Sequence, residues 1–286
     1  MAVATARRLL PIEIVLGLGG QNASPNPASV PITDLVKATN VSLSEDTIQK
    51  EGGAAVITGA LAGIQKIVGL HDFYDGAGTK FLIAALADGR LVTLDSTGIV
   101  ETLVSGLAGD RLTTFVEGMN GSGTTAKRLF VFNGADTVRT TRGTTATTAV
   151  IDAATDPADW SGTNQPEGGC LHRFRLWAFG NDNEPHRLYY SAALTPPNHE
   201  DFTGATAGSL NVFPGEGERI AAIHSYLGRL FIFKFPYGVY WVDEGLTSDA
   251  ASVWTVRRLT SRVGMAGPLG ITDTEDDCLF VGSDGL

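Results

Sequence analysis

The chain contains five histidines, the side chains most often used for proton transfer and metal binding near neutral pH. Three of them, His71, His172 and His224, lie at the same position of a repeated sequence pattern, while His186 and His199 lie outside it. A catalytic or metal-binding histidine is normally unique within its fold, whereas a repeated one usually satisfies a hydrogen bond in each repeat. We therefore interpret the three repeated residues, called the histidine column below, as structural.

Two glycine-rich segments resemble phosphate-binding loops only superficially. A P-loop requires a lysine directly after the second glycine of G-x-x-x-x-G-K-[ST]. In GMNGSGTTAKR (118–128), Gly123 is followed by Thr124, and the segment is expected to be a loop between two strands. GLGG (17–20) is followed by QNASPNP where a dinucleotide-binding fold needs a helix. Neither segment predicts a nucleotide site.

Acidic residues cluster in DTEDD (273–277) and NDNEPH (181–186), which we expect to be solvated turns. Neither segment has the D-x-[DN]-x-[DN]-G spacing of a calcium loop. The chain also lacks the G-x-S-x-G motif of a serine nucleophile. The sequence therefore predicts no catalytic, cofactor-binding or metal-binding residues, and no cofactor.

Apolar, strand-like segments separated by turns containing Gly or Pro recur along the chain. Five leucines occupy equivalent positions with spacings of 47, 47, 54 and 49 residues: Leu82, Leu129, Leu176, Leu230 and Leu279. Upstream of each lies a second pattern, an aliphatic residue, then His or Thr, then any residue, then usually an aromatic one. A period near 50 with about four short strands per unit predicts a β-propeller, since one sheet cannot bury both faces alone. A β-sandwich, the competing fold, predicts no such spacing.

The predicted fold class is all-β, a propeller of four-stranded blades with an extended N-terminal arm. The arm, with strands that could close the ring, spans 1–58, and the blades span 59–286. The units are 60–107, 108–158, 165–215 and 217–263, with a fifth, incomplete one from about 266 to 286. Two alternatives stay open: strands within 38–54 complete the ring, or the natural chain continues, which we favour.

The strands expected to lie innermost are FLIAAL, LFVF, RLWAF, LFIF and CLFVG. They are apolar runs, as expected for strands buried on both faces. Propeller glycosidases place two or three carboxylates on their inner strands, and these segments have none. We therefore predict that the protein is not an enzyme.

The charge balance argues against a nucleic-acid-binding surface. The chain has 21 basic and 31 acidic residues and a formal net charge of -10, whereas tight binding to phosphates needs clustered Lys and Arg. No segment approaches the roughly 18 apolar residues of a membrane-spanning helix. Two cysteines, Cys170 and Cys278, cannot staple a domain of this size and are expected to be free thiols or one incidental bridge.

The stretch GRLFIFKFPYGVYWVD (228–243) is the most aromatic part of the chain. Compared with its repeat relatives, most of its apolar side chains are expected to pack between blades. Its tip, Phe235-Pro236-Tyr237-Gly238, is not explained by such packing and is therefore a candidate for binding.

Residues 187–242 combine a YYS strand, an EDF loop, a Gly-Glu-Gly-Glu turn and the pair GRLFIF and VYWV. This combination resembles the β-propeller proteins of tailed-bacteriophage virions, such as tail-nozzle, tail-hub and packaged-DNA-stabilising proteins. The segment 19–53 is similar to their N-terminal arm, and 262–286 to their entry into the next blade. One departure is Lys50-Glu51, because those proteins more often have a basic residue directly before the glycine pair.

The resemblance implies a structural, non-enzymatic component of the phage particle, in the tail or the head-to-tail channel assembly. It implies that the protein is made in the host cytoplasm and located in the virion. Its partners would be other virion proteins and copies of itself in a ring, with no membrane partner and no tight nucleic-acid binding. DNA would pass an acidic wall that repels phosphate. The alternatives are a glycan- or receptor-binding tail propeller and, less favoured, a propeller glycoside hydrolase.

Overall fold

The computed structural model describes residues 41–44, 47–50, 66–95, 98–151, 156–193, 196–243, 254–274 and 277–282. By its internal contacts the chain divides into Met1–Val56 and Ile57–Leu286. In the first unit, strands β1 (Val41–Ser44) and β2 (Thr47–Lys50) form an antiparallel hairpin, as the sequence predicted. The rest of the predicted arm and the GLGG segment lie outside the described residues.

The second unit contains four consecutive four-stranded antiparallel sheets, each with its strands in chain order. Sheet I comprises β3 (Ile67–Tyr74), β4 (Lys80–Leu86), β5 (Leu91–Asp95) and β6 (Gly98–Val104). Sheet II comprises β7 (Thr114–Met119), β8 (Lys127–Phe132), β9 (Arg139–Thr141) and β10 (Ala149–Val150). Sheet III comprises β11 (Gly168–His172), β12 (Arg175–Phe179), β13 (Arg187–Tyr190) and β14 (Gly208–Asn211). Sheet IV comprises β15 (Arg219–Tyr226), β16 (Arg229–Phe235), β17 (Val239–Asp243) and β18 (Thr255–Thr260).

A fifth sheet of two strands follows. Sheet V pairs β19 (Ile271–Asp273) with β20 (Cys278–Phe280). Each of the five sheets lies within one of the predicted units, so the repeat of four-stranded sheets is confirmed. A 3-10 turn, Thr145–Thr147, lies between β9 and β10. Within the described ranges no helix has the length and hydropathy needed to cross a membrane.

In sheets II, III and IV the second strand is buried on both faces because its alternate side chains pack against different neighbouring sheets. In β8, Leu129 and Val131 pack with sheet I, whereas Phe130 and Phe132 pack with sheet III. In β12, Trp177 and the other side chains on the same face of the strand pack against sheet IV. A strand of this kind needs apolar residues at successive positions, which explains the apolar runs in the sequence.

The largest core lies between sheets III and IV, where aromatic rings interlock. The ring centroid of Trp177 lies 5.1 Å from that of Tyr190 and 5.2 Å from that of Trp254. Ile220 and Leu230 of sheet IV complete this core and are fully buried. Such rings combine a large buried area with a specific tilted geometry. Their packing therefore fixes the position of sheet III relative to sheet IV.

Successive sheets approach each other through their first strands, β3 with β7, β7 with β11, and β11 with β15. The runs predicted to be innermost are the second strands instead, and that part of the prediction is wrong. A second strand is hydrogen-bonded on both sides within its sheet, whereas a first strand is an edge where half-buried polar groups are tolerated. These edge strands do bear carboxylates, among them Asp72, Glu117 and Asp273.

Truncation of the central ring should measure how much the packing between sheets III and IV stabilises the fold. We expect Trp177→Ala to lower the free energy of unfolding by about 3–5 kcal/mol, because it leaves a cavity in a core position with 0% exposure. Phe174→Ala, at an aromatic residue that is 76% exposed, should change it little. Urea unfolding of both variants provides the measurement. Equal effects would contradict this account of the core.

Candidate functional site

A cleft of about 340 Å³ opens at one end of sheet IV, beside the turn between β16 and β17. Its lining residues are Glu216, Gly217, Tyr237, Tyr240, Arg258 and Ser261. Tyr237 belongs to the tip that the sequence singled out, and it is 51% exposed. The cleft therefore lies where packing between sheets leaves an aromatic ring accessible.

The fold assembles this cleft from three separate parts of the chain. Tyr240 on β17 and Arg258 on β18 are direct cross-strand partners. Glu216, in the turn before β15, accepts a 2.9 Å hydrogen bond from the Tyr240 hydroxyl and forms an ion pair with Arg258. At Gly238, φ is +111° and a Cβ would lie 2.6 Å from the Tyr240 hydroxyl oxygen. Glycine is therefore required there for Tyr240 to reach Glu216.

The wall of the cleft is aromatic and its polar groups are already oriented. Phe213 stacks on Tyr240 with ring centroids 5.0 Å apart, and the Arg258 guanidinium lies 5.1 Å from the Phe213 centroid. Burial, reinforced by the hydrogen bond to Glu216, raises the pKa of Tyr240 to about 12. The phenol thus stays protonated and donates. Together these groups suit the binding of a polar molecule through a carboxylate, a guanidinium, hydroxyls and an exposed ring.

A lysine lies buried behind this wall. Lys234 is fully buried, and its Nζ donates hydrogen bonds of 3.0 Å to the carbonyl oxygens of Val212 and Phe213. Burial lowers the pKa of Lys234 to about 8, an effect that the negative charge of Glu216 partly opposes. These two hydrogen bonds from Lys234 hold the segment before Glu216 in place. This anchor was not predicted from the sequence, although a lysine inside the apolar run FIFKF was a visible signal.

The histidine column forms a seam between sheets. His71 Nε2 lies 3.3 Å from Glu117 Oε1, and His172 Nδ1 lies 2.7 Å from Ser225 Oγ. In the third pair, His224 Nε2 lies 2.7 Å from an oxygen of Asp273. Each of the three histidines thus makes a hydrogen bond, as expected, but the bond is not local to its unit, because the partner belongs to the next sheet. The reason is geometric, because these histidines lie on the first strands, which face the neighbouring sheet.

The two other histidines have different environments. His199 is buried, with its Nδ1 accepting from the Met119 amide at 2.9 Å and its Nε2 3.0 Å from the Phe174 carbonyl oxygen. A carbonyl only accepts, so Nε2 bears the proton, and burial lowers the pKa of this ring. It fastens a loop of sheet III to sheet II. Burial also lowers the pKa of His186. Both rings are expected to be neutral at pH 7.

The remaining sequence motifs are placed as follows. The glycine-rich segment 118–128 connects β7 to β8, as predicted for a loop. In the segment 181–186, Asn181 accepts the amide of Asn183 and stabilises a turn. The segment 273–277 connects β19 to β20, with part of it outside the described residues. Both cysteines are free.

One group of side chains in the described residues could hold a metal ion. Candidate ligand atoms of His224, Asp273 and Cys278 all lie within 4.8 Å of one another. No metal ligand was predicted from the sequence, because His224 belongs to the histidine column, which we interpreted as structural. Cys278 lies close to His224 only because sheet V packs against sheet IV. No spacing motif in the sequence predicts this proximity.

Comparison with known proteins gave structural likenesses only. A scan against protein-family models and a search of curated proteins each returned no match. The crystal structure of BBS1N in complex with ARL6DN is 14% identical, with a TM-score of 0.45 over 77% of this chain and 63% of that one. The β-propeller domain of Cps50 (Swd1) from Myceliophteria thermophila is 13% identical, with a TM-score of 0.41 over 77% and 65%. This chain thus covers less than two thirds of each neighbour, and likenesses this weak say nothing about its function.

The buried lysine predicts a specific pH dependence of stability. The unfolded chain holds this proton up to its ordinary pKa of 10.5, whereas the folded protein releases it near pH 8. Between these values the unfolded state binds more protons, so the free energy of unfolding gains roughly 3 kcal/mol from this group as pH rises. Below pH 8 the contribution is constant.

Urea unfolding of the native chain and of Lys234→Met across this pH window measures the effect. We expect the difference between the two curves to widen with pH in favour of the native chain. Lys66→Met, at a lysine whose side chain is largely exposed, is the control and should run parallel to the native chain. A constant difference for Lys234→Met would show that the lysine keeps an ordinary pKa.

Proposed function

We propose that this chain is a structural, non-enzymatic β-propeller protein of a tailed-bacteriophage virion, in the tail or the head-to-tail channel assembly. The observation that supports the proposal most directly is the resemblance of residues 187–242 to such proteins, together with the use of those residues in the fold. The segment spans the last two strands of sheet III and the first three strands of sheet IV. It is therefore the junction between two successive units.

The YYS and EDF features of this segment pack sheets together. Tyr189 faces the core shared with sheet II, whereas Tyr190 faces the core shared with sheet IV. In the EDF loop, Phe202 lies 4.7 Å from the ring centroid of Trp160, and Glu200 accepts a 2.6 Å hydrogen bond from Asn120 of the turn after β7. These residues make contacts between neighbouring units, which supports a structural role for the YYS and EDF motifs.

The acidic turn and the strands after it also make contacts that join parts of neighbouring sheets. Glu216 of Gly-Glu-Gly-Glu binds Tyr240 and Arg258, and so ties the turn to two strands of sheet IV. Arg219, which follows the turn, forms a two-oxygen salt bridge with Glu167 of the preceding sheet at 2.7 and 2.9 Å. A single nitrogen, Nη1, donates both bonds, and the contact ties the start of sheet IV to the residue directly before β11.

A propeller arrangement accounts for the succession of sheets. Four sheets with apolar groups on both faces each need neighbours on two sides, and the contacts between successive first strands support an arrangement in which those strands face a common axis. In a particle, rings of such propellers would bind one another and other virion proteins through their exposed turns.

The charge of the chain suits this place in a particle. With a formal net charge of -10, the protein would repel DNA that moves past it, so the genome could leave without adhering. The proposal therefore includes no tight nucleic-acid binding, no membrane partner and no cofactor. Synthesis in the host cytoplasm and incorporation into the virion complete it.

The virion assignment predicts that the protein sediments with purified particles. We expect mass spectrometry of particles washed at high salt to find the chain in a fixed ratio to the portal and tail proteins. Particles grown from a nonsense mutant of its reading frame should be incomplete in electron micrographs, and supplying the native chain should restore them. Recovery of the chain only in the soluble lysate, with particles unchanged in the mutant, would overturn the proposal.

A second candidate function, recognition of a glycan by the same propeller, is favoured by the cleft at the tip of GRLFIFKFPYGVYWVD. Sugar rings stack on exposed aromatic faces, and their hydroxyls bind carboxylate and guanidinium groups. Tyr237 supplies the ring, and the Glu216–Arg258 pair supplies the polar groups. This function would place the chain where a tail meets the host surface.

The glycan alternative predicts binding of host-surface polysaccharide that depends on the cleft. Tyr237→Ala should weaken such binding roughly tenfold, the worth of about one stacked ring. Leu227→Ala, at an exposed apolar residue in the turn at the other end of sheet IV, should leave the affinity unchanged. Titration of fluorescent polysaccharide fragments gives both values. Equal affinities for the two variants, or no binding by the native chain, would refute a glycan site.

A further inference from the structure

The ligand atoms of His224, Asp273 and Cys278 converge at the junction of sheets IV and V. We propose that these three side chains form a binding site for a zinc-class divalent cation, which links the two sheets. The inference rests on the geometry of these residues alone and is independent of the virion assignment.

The backbone already presents the three side chains to a common point. Asp273 at the end of β19 and Cys278 at the start of β20 are direct cross-strand partners. His224 reaches them from β15 of the neighbouring sheet, with its Nε2 2.7 Å from Asp273 Oδ1. Two ligands thus come from one hairpin and the third from a separate sheet. An ion held by all three would bridge the sheets.

The distances agree with what a tetrahedral zinc ion requires. All three ligand atoms lie within 4.8 Å of one another, and bonds of about 2.0–2.3 Å place tetrahedral ligands about 3.5 Å apart. Binding therefore needs the hydrogen bond between His224 and Asp273 to lengthen and the widest separation to contract. Rotations of the side chains about their own torsions supply displacements of this size.

The turn between β19 and β20 holds its two ligands in register. The amide of Thr274 donates a 2.7 Å hydrogen bond to the carbonyl oxygen of Asp277, and the amide of Asp277 donates a 2.9 Å bond to Thr274 Oγ1. Thr274 directly follows Asp273, and Asp277 directly precedes Cys278, so both residues belong to the turn that joins the two ligands. The ligands are therefore held before any ion arrives, which lowers the entropic cost of binding.

The donor set selects the class of ion. Imidazole nitrogen, thiolate sulfur and carboxylate oxygen are the ligands that zinc takes in proteins, whereas calcium and magnesium prefer oxygen alone. Three protein ligands leave a fourth position for water or for a donor from another chain. With its side chain 45% exposed, Asp273 keeps that position near the surface. Such a site is suited to joining this edge of the protein to a partner.

The site can be tested on the full chain after removal of metals with a chelator. We expect Co²⁺, used as a spectroscopic substitute for zinc, to produce a thiolate charge-transfer band that saturates at a single ion per chain. Zn²⁺ should displace it and raise the midpoint of thermal unfolding, because an ion that binds only the folded state stabilises it. Cys278→Ala should abolish the band and the shift, and His224→Gln should weaken both.

Cys170→Ala is the matched control, because Cys170 is the other thiol of the chain and lies in sheet III away from the cluster. It should retain the band and the zinc-dependent shift. Unfolding midpoints in chelator verify that each variant is folded before metal is added. Absence of the band in the native chain, or its persistence in Cys278→Ala, would overturn the proposal, as would its loss in the folded Cys170→Ala control.

Discussion

Every four-stranded sheet of this protein has to bury two apolar faces. Leu129 and Phe130 show the constraint at its simplest, because these adjacent residues are both fully buried and face different sheets. A sheet of this kind exposes at least one apolar face whenever a neighbour is missing, so no unit is stable by itself. The stability of the array is thus a shared property, and interfaces such as that between Trp177 and Trp254 are cores in their own right.

The polar seam along the first strands has a different physical role. Contacts such as those of His71 with Glu117 and of His172 with Ser225 join edge strands of successive sheets. Half-buried polar contacts each contribute about 1 kcal/mol or less, which is small beside the burial of a single aromatic side chain. We interpret the seam as a device that aligns the sheets, while the apolar faces supply the energy that holds them together.

The same constraint explains which features were visible in the sequence. A strand buried on both faces must be apolar at successive positions, so the second strands of the four-stranded sheets could be located by their leucines, and the order of these sheets followed. Leu279 of β20 continues the spacing although it is 53% exposed. The apolar runs could not show which strand of a sheet contacts the next sheet along its edge. Edge strands mix apolar and polar residues, and the partner of His224 or Glu117 is chosen by packing between sheets.

The cleft was only partly predictable for a related reason. Tyr237 stood out because packing between sheets does not require it. Glu216 and Arg258, by contrast, meet only when the turn before β15 folds over β18, and a buried lysine holds that turn. Pairings across 42 residues have no local signature.

Packing between sheets uses their faces and leaves the ends and the outer edge strand of a sheet accessible for binding. In sheet IV both ends have suitable groups. The cleft lies where β15 begins and β16 ends, whereas His224 lies toward the opposite end of β15. Five residues of extended strand, or roughly 17 Å, separate Arg219 beside the cleft from His224. The cleft and the His224 cluster have no residue in common, so a ligand at either proposed site would not compete with one at the other.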